Sequence, residues 1–168
     1  GDGDMDIVSA SSGDDTIAWY ENNNGDASSW TARNIVSDAD IATSANGAFS
    51  VFVADMDGDG DMDIVSASVN DDTIAWYENN GAADPTWAAA DIATSADGAR
   101  SVFVADMDGD GDMDIVSAST LDNTIAWYEN NGAADPSWTA ANIATSADTA
   151  KSVFAADMDL SLIHISEP

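Results

Sequence analysis

The hydrophobic and polar positions of this chain follow a pattern that repeats along the sequence. Short runs rich in β-branched and aromatic residues alternate with turns of Asn, Asp and Gly. Such runs are typical of β-strands, and helical periodicity is nearly absent. One repeat predicts four strands, at residues 50–54, 63–68, 73–78 and, more weakly, 87–95.

The apolar residues of these strands lie on both faces of the predicted sheet. Neighbouring side chains in a strand point to opposite faces. Trp76 and Tyr77 are adjacent, as are Val51 and Phe52, so each strand carries apolar groups on both sides. We therefore expect every sheet to be covered on both faces.

An acidic stretch marks the repeat. Asp-Met-Asp-Gly-Asp-Gly-Asp-Met-Asp occupies residues 55–63 and recurs at 106–114, and the chain also begins inside a copy and runs into another near its end. The later copies are 51 residues apart and the first two are 57 apart. The six extra residues fall within 31–40, where we expect a longer loop or a strand extension.

Strands that recur in this way predict a fold of the all-β class. Four short strands per repeat, covered on both faces and arranged in tandem, are typical of β-propeller blades, which are four-stranded antiparallel sheets. A parallel β-helix is an alternative, but it needs much shorter repeats. The chain would hold about three blades of an incomplete propeller: a partial first blade at 1–49, blades at 50–100 and 101–151, the start of a fourth at 152–159, and a tail at 160–168.

The density of carboxylates in the acidic stretch predicts a metal site. Five aspartates in nine residues repel one another in any compact arrangement unless a cation lies among them. The stretch offers oxygen ligands without thiolate or imidazole, which suits a hard cation. We expect Ca²⁺, because it accepts about 6–8 oxygens in flexible geometry, whereas Mg²⁺ tends to keep its waters.

The spacing assigns a role to each position of the stretch. The acids at positions 1, 3 and 5 place alternate side chains on one concave side, and the glycine at position 6 makes the sharp turn. Asp61, at position 7, would supply its backbone carbonyl, and Asp63, at position 9, would close the shell with its carboxylate. The candidate metal ligands over all copies are Asp55, Asp57, Asp59, Asp61, Asp63, Asp106, Asp108, Asp110, Asp112, Asp114, Asp2, Asp4, Asp6, Asp157 and Asp159.

The stretch has two alternative interpretations. An EF-hand loop begins similarly, but it needs an acid at position 12 and flanking helices. Position 12 is Ser66, within a β-branched run that predicts a strand, so the loop would join two strands. The second alternative is a solvated acidic turn that binds nothing.

The stretch and its flanking strands resemble a known repeat. Val-Ala-Asp-Met-Asp-Gly-Asp-Gly-Asp-Met-Asp-Ile-Val-Ser-Ala-Ser at 53–68, followed by Thr-Ile-Ala-Trp-Tyr-Glu-Asn at 73–79, is similar to the FG-GAP/VCBS-type repeat, which also occurs in the calcium-binding blades of integrin α-subunit propellers. The resemblance covers residues 1–159. It implies a propeller, typically of about seven blades, with calcium in a loop between the first two strands of a blade.

The resemblance also implies a class of function. Such repeats serve in adhesion, in surface attachment and as accessory modules of secreted enzymes or lectins. We expect a calcium-binding scaffold of a secreted or cell-surface protein that mediates adhesion or binds a protein or polysaccharide. The alternative is a non-catalytic accessory propeller domain of a larger secreted enzyme, and a third possibility is that this stretch has no independent function.

The charge of the chain excludes several kinds of partner. The formal net charge is −29, with three cationic residues, so no basic patch can bind nucleic acid or an anionic membrane surface. No apolar run approaches the ~20 residues of a membrane span, so we expect no direct membrane insertion. Open blade edges would instead favour self-association.

We expect no enzymatic activity. A glycosidase needs one unique pair of carboxyl groups, whereas nearly every acid here belongs to a repeated loop or turn. The one histidine, His164, lies in residues 160–168, which break the repeat and resemble a translated sequencing adaptor. We exclude that tail from functional reasoning, so no base remains for a serine triad.

Two further repeated features have structural explanations. The equivalent tryptophans Trp19, Trp76 and Trp127, and a second set at Trp30, Trp87 and Trp138, could stack on sugars, but packing between blades is the more common role. Asn-Asn-Gly sequences such as 79–81 are turn chemistry, because Asn and Gly tolerate left-handed backbone, and we assign them no binding role.

Overall fold

A computed structural model describes residues 3–34, 45–83 and 85–158, which form three antiparallel sheets. The first sheet has the order β1-β2-β3, the second β4-β5-β6-β7, and the third β8-β9-β10-β11. The described strands are β1 (Ile7–Ser11), β2 (Thr16–Asn22), β3 (Trp30–Asn34), β4 (Ala48–Ala54), β5 (Asp63–Ser68), β6 (Thr73–Asn79), β7 (Trp87–Ala93), β8 (Ala99–Ala105), β9 (Asp114–Ser119), β10 (Thr124–Asn130) and β11 (Trp138–Ala144).

The predicted all-β fold with incomplete propeller blades is confirmed. The sheets are antiparallel throughout, which does not fit the parallel β-helix alternative. The fourth strand of the repeat, the weakest prediction, is present as β7 and β11, and β4 begins at Ala48 rather than at residue 50. The insertion within 31–40 falls largely outside the described residues, as does the tail at 160–168.

Turn residues determine where the strands reverse. Asp72 adopts a left-handed conformation with φ 59°, and Asp15 and Asn123 do the same at the equivalent turns. Aspartate and asparagine tolerate this region better than most residues. Thr73 Oγ1 donates a hydrogen bond to the carbonyl oxygen of Asp71 and closes the turn between β5 and β6.

The second sheet, which has a neighbour on each side, is buried on both faces. All six residues of β5 are buried. Ile64 and Tyr77 lie in an apolar cluster with Ile17 of the first sheet. Val65 and Trp76, their neighbours in sequence, lie in a second cluster with residues of the third sheet. We call the two contacts the first junction (first and second sheets) and the second junction (second and third sheets).

Specific polar contacts align the sheets across the second junction. The Val102 N–H donates to Ser50 Oγ at 3.2 Å, so β4 and β8 lie side by side. The rings of Phe52 and Phe103 meet edge to face, with centroids 5.0 Å apart. The sheets therefore stack in a row in sequence order. The two complete acidic stretches follow the first strand of the second and third sheets.

Within the described residues, no helix has the length and apolar character needed to cross a membrane.

Shortening a buried isoleucine tests whether the junctions supply the stability. Ile115 is 0% exposed within the second junction, and Ile115→Ala removes apolar contacts and leaves a cavity. We expect a loss of about 2–5 kcal/mol in the free energy of unfolding. Ile143, on β11, is 58% exposed, so Ile143→Ala is the matched control and should change stability by less than about 0.5 kcal/mol. Equal effects in urea unfolding would contradict the packing described here.

Candidate metal centre

The two complete acidic stretches form loops of the same shape between equivalent strands. The first loop joins β4 to β5, and the second joins β8 to β9. Gly58 and Gly60 have φ values of 77° and 97°, a left-handed region that favours glycine. A Cβ at either position would meet nothing within 4 Å, so the backbone conformation, and not space, requires glycine here.

Hydrogen bonds within each loop turn the first carboxylates inward. Asp55 accepts the Gly58 N–H at 2.8 Å and the Gly60 N–H at 3.1 Å. Asp57 and Asp59 each accept the N–H of the residue two positions later, at 3.1 and 2.9 Å. The second loop repeats these contacts at its own aspartates. The backbone thus wraps around the acids at positions 1, 3 and 5.

These acids form two clusters that could hold a cation. One carboxylate oxygen from each of Asp55, Asp57 and Asp59 lies within 4.8 Å of the others. Burial raises the pKa of Asp57, and the charges of Asp59 and Asp55 raise it further. A hard divalent cation fits this all-oxygen donor set and would cancel the repulsion. The second cluster consists of Asp108 with Asp106 and Asp110.

The two clusters differ in exposure although their sequences are identical. Asp55 and Asp57 are half-buried, whereas all three acids of the second cluster are exposed. The first loop faces residues 111–113 of the second loop across a cavity of about 370 Å³. Beyond the second loop, the described residues contain no further complete loop. The second loop therefore shields the first cluster from water, whereas no described loop does the same for the second cluster.

The acid at position 9 has a different setting. Asp63 is 1% exposed, and its two carboxylate oxygens accept the N–H groups of Met56 at 3.1 Å and Asn79 at 2.8 Å. Burial raises the pKa of Asp63 to about 6, against the lowering effect of the Asn79 hydrogen bond. Trp76 approaches the same carboxylate, although its buried indole N–H does not complete a hydrogen bond. Asp63 thus ties the loop to β6, and its predicted role as a metal ligand stays a prediction.

Asp114 repeats this anchor in the second loop, with hydrogen bonds from the N–H groups of Met107 and Asn130. In the first copy, Asp6 accepts the Asn22 N–H at 2.9 Å. Position 9 therefore fastens the loop to the third strand of its repeat in every copy that the structure describes.

The acid at position 7 lies against the Asn-Asn-Gly turn, to which the sequence pattern alone assigns no binding role. A Cβ at Gly81 would overlap the carboxylate of Asp61, and the same holds for Gly132 and Asp112. Gly81 also has a φ of 66°. The turn thus forms one wall of the loop. In both complete repeats this glycine follows the aspartate by 20 residues, a regularity that is visible in the sequence.

The incomplete copies contribute fewer described residues. Asp4, Asp6 and Asp157 lie within the described part of the chain, whereas Asp2 and Asp159 lie outside it. The two clusters found among described residues include none of the three. Their predicted role as ligands stays a prediction, as does the role of Asp61 and Asp112 through their backbone carbonyls.

A cavity of about 900 Å³ in the first junction is not assigned as a ligand site. It is lined by Trp19, Trp87 and several polar groups of the acidic loop. In the second junction, the equivalent space holds the side chain of Met56, which is 2% exposed. The cavity thus lies where the second junction places a methionine side chain.

The tryptophans pack mainly between sheets. The rings of Trp76 and Trp138 meet edge to face across the second junction, with centroids 6.5 Å apart. Trp19 and Trp87 pack against the same apolar cluster in the first junction. Trp30 is 39% exposed, because no sheet of the described residues covers that side of the first sheet.

Comparison with known proteins gives a family but no individual relative. The FG-GAP-like repeat matches the chain three times, over residues 1–66, 55–117 and 106–160. No curated protein and no solved structure matches it significantly. Each match contains an acidic loop, or part of one, at both of its ends, in agreement with the repeated geometry described above. The chain is a repeat scaffold that belongs to the FG-GAP-like repeat family.

Proposed function

We propose that the acidic loops bind Ca²⁺ and that the chain is a calcium-stabilised scaffold of a secreted or cell-surface protein. The observation that carries the proposal is the pair of aspartate clusters, in each of which one oxygen from each of three carboxylates lies within 4.8 Å of the others, with the same hydrogen bonds in both loops. Three neighbouring carboxylates without a cationic side chain among them are unfavourable unless a cation is present. Two such sites with identical geometry support a common ligand.

The loops are connected to the strands in a way that would make calcium structural. Asp63 links the loop to β6 through the Asn79 N–H. The carbonyl oxygen of Met56, at position 2 of the same loop, accepts a hydrogen bond at 2.8 Å from Asn130 of the third sheet. A cation that orders the first loop would therefore also order the second junction. Binding to the folded state alone raises stability by mass action.

The binding site would suit an environment rich in calcium. Extracellular calcium modules bind the ion at about 10⁻⁴–10⁻³ M. Two ions would cancel about four units of the formal net charge of −29, so most aspartates remain solvated at the surface. We propose that this scaffold presents a protein or polysaccharide ligand site, for adhesion, and that it has no catalytic function.

Calcium titration tests the central proposal. We expect about two ions bound per chain, one for each cluster, and a higher melting temperature in calcium than in chelator. Asp57→Asn removes one charge from the first cluster and should leave about one ion bound with unchanged affinity. Asp135→Asn changes an exposed aspartate outside both loops and is the control. A chain that remains folded in chelator and binds no calcium would show that the loops are solvated turns.

The wall formed by the Asn-Asn-Gly turn can be tested separately. Gly81→Ala would place a Cβ on the Asp61 carboxylate at a positive φ. We expect a loss of about 1–3 kcal/mol in stability and weaker calcium binding at the first loop. The second loop, with its unchanged Gly132, is the internal reference in the same titration. Gly13→Ala, where a Cβ meets nothing within 4 Å, is the control for replacement of a turn glycine.

The buried Asp63 predicts a specific pH dependence. Its folded-state pKa of about 6 lies above the ordinary value of 3.8, so the metal-free folded chain binds the proton more tightly than the unfolded chain does. In chelator, the melting temperature should therefore rise as the pH falls from about 7 to about 4. In calcium, the same acidification should reduce the stabilisation by the ion, because protons compete for the carboxylates.

Asp63→Asn separates this group from the general acidity of the chain. The variant cannot titrate, so the rise in chelator should become smaller. An unchanged rise would assign the effect to other carboxylates, and a fall of the parent melting temperature on acidification would contradict the direction of the pKa shift.

A further inference from the structure

One buried asparagine contacts both complete acidic loops. Asn130, the last residue of β10, is 2% exposed. Its backbone N–H donates to Asp114 Oδ1 at 2.8 Å, and its side-chain amide donates to the Met113 carbonyl oxygen at 3.1 Å. The same amide group donates to the Met56 carbonyl oxygen of the first loop at 2.8 Å. Because a side-chain amide has two N–H hydrogens, Asn130 can hold one carbonyl oxygen of each loop.

Met56 is held at three points between two candidate calcium ligands. Its neighbours in sequence are Asp55 and Asp57. Its N–H donates to Asp63 Oδ2 at 3.1 Å, its carbonyl oxygen accepts the bond from Asn130, and its side chain is 2% exposed in the second junction. The peptide groups on both sides of Met56 orient the two neighbouring aspartates and so determine where their carboxylates lie. A contact from the third sheet therefore acts on two acids of the first cluster.

Asn79, the equivalent residue of the preceding repeat, provides a matched comparison. Its backbone N–H donates to Asp63 Oδ1 and its side-chain amide to the Met62 carbonyl oxygen, at 2.8 and 3.1 Å. The turn glycine two positions later donates to its Oδ1, as it does in the repeat of Asn130. Within the described residues, Asn79 makes no hydrogen bond to a loop other than its own. The bond to Met56 thus distinguishes Asn130 from Asn79.

We propose that Asn130 is a positioning residue of the first calcium site, an inference that rests on the proposed function. The site then consists of the first loop together with one asparagine of the following repeat. Asn130 does not bind the ion. It fixes the peptide group that joins Met56 to Asp57, and it holds the loop in the conformation that brings the three carboxylates together.

Repulsion among the carboxylates gives this contact a function. Without a cation, the three neighbouring acids of the first cluster repel one another and favour a more open loop. The Asn130 bond resists this opening, because breaking it would leave a buried amide N–H unpaired. A loop that is already held in the binding conformation loses less conformational entropy when the ion binds, so its affinity is higher.

Calcium titration of single-site variants of the full 168-residue chain tests the proposal. Asp108→Asn disables the second loop, so that the first can be measured alone, and Asp57→Asn does the reverse. With the second loop disabled, Asn130→Ala should raise the calcium dissociation constant of the first loop by about tenfold. With the first loop disabled, the matched Asn79→Ala should leave the constant of the second loop unchanged. No effect of Asn130→Ala, or equal effects in the two comparisons, overturns the proposal.

A second variant separates the hydrogen bond from a simple effect of charge. Asn130→Asp keeps the size of the side chain but replaces the donor with a carboxylate, which repels the Met56 carbonyl oxygen. Its added negative charge alone would strengthen cation binding. We therefore expect the dissociation constant of the first loop to rise with Asn130→Asp as well. A constant that falls or stays the same refutes the positioning role.

Hydrogen exchange in chelator tests the same contact without calcium. The Gly58 N–H donates to Asp55 in the first loop, and the Gly109 N–H has the equivalent place in the second. Asn130→Ala should speed exchange at Gly58 several-fold, whereas Asn79→Ala should leave exchange at Gly109 unchanged. Amides of β5 report global opening and are the internal reference. Exchange at Gly58 that rises only in proportion to that of β5 would show a general loss of stability and contradict positioning.

The two proposals can fail separately. Faster exchange at Gly58 in the Asn130→Ala variant supports the positioning of the loop even if no calcium binds. Calcium binding by the first loop that is insensitive to Asn130→Ala contradicts the positioning role and leaves the calcium proposal intact.

Discussion

Each sheet of this protein has two apolar faces, and the architecture depends on the need to cover both. In β5, Ile64 faces the first sheet and Val65 faces the third, so neither face can be exposed to water without loss of apolar burial. A single sheet of this kind gains little stability alone, and repeats of this type are stabilised chiefly by their neighbours. The sheets therefore stack in a row. Each added sheet covers one apolar face of its neighbour and has a second apolar face of its own to be covered.

The acidic loops place a second requirement on the same sheets. They concentrate negative charge where the first strand of a sheet turns into the second, and they do so beside buried apolar residues. Asp63 connects these two regions, because it is buried yet accepts hydrogen bonds from the loop and from β6. The Met56 carbonyl connects the loop to the next sheet through Asn130. Charge compensation in the loop and packing in the junction are therefore coupled, and calcium bound to the loop would stabilise both.

The ends of the row follow from the same constraint. Within the described residues, the first sheet exposes Ile7 and Trp30, and Phe154 is exposed although its ring lies beside Phe103 of the third sheet.

Local sequence patterns determined the strands, the turns and the acidic loops, because side-chain alternation and left-handed turn residues act within a few residues of the chain. The three inward acids Asp55, Asp57 and Asp59 could be predicted from their spacing for the same reason. Tertiary structure decided what those patterns could not: that Asp63 anchors the loop to β6, that Asp61 lies on Gly81, and that one of two identical loops is shielded by the other. These contacts join residues from different strands and repeats, so they depend on how the sheets are oriented when both faces are buried.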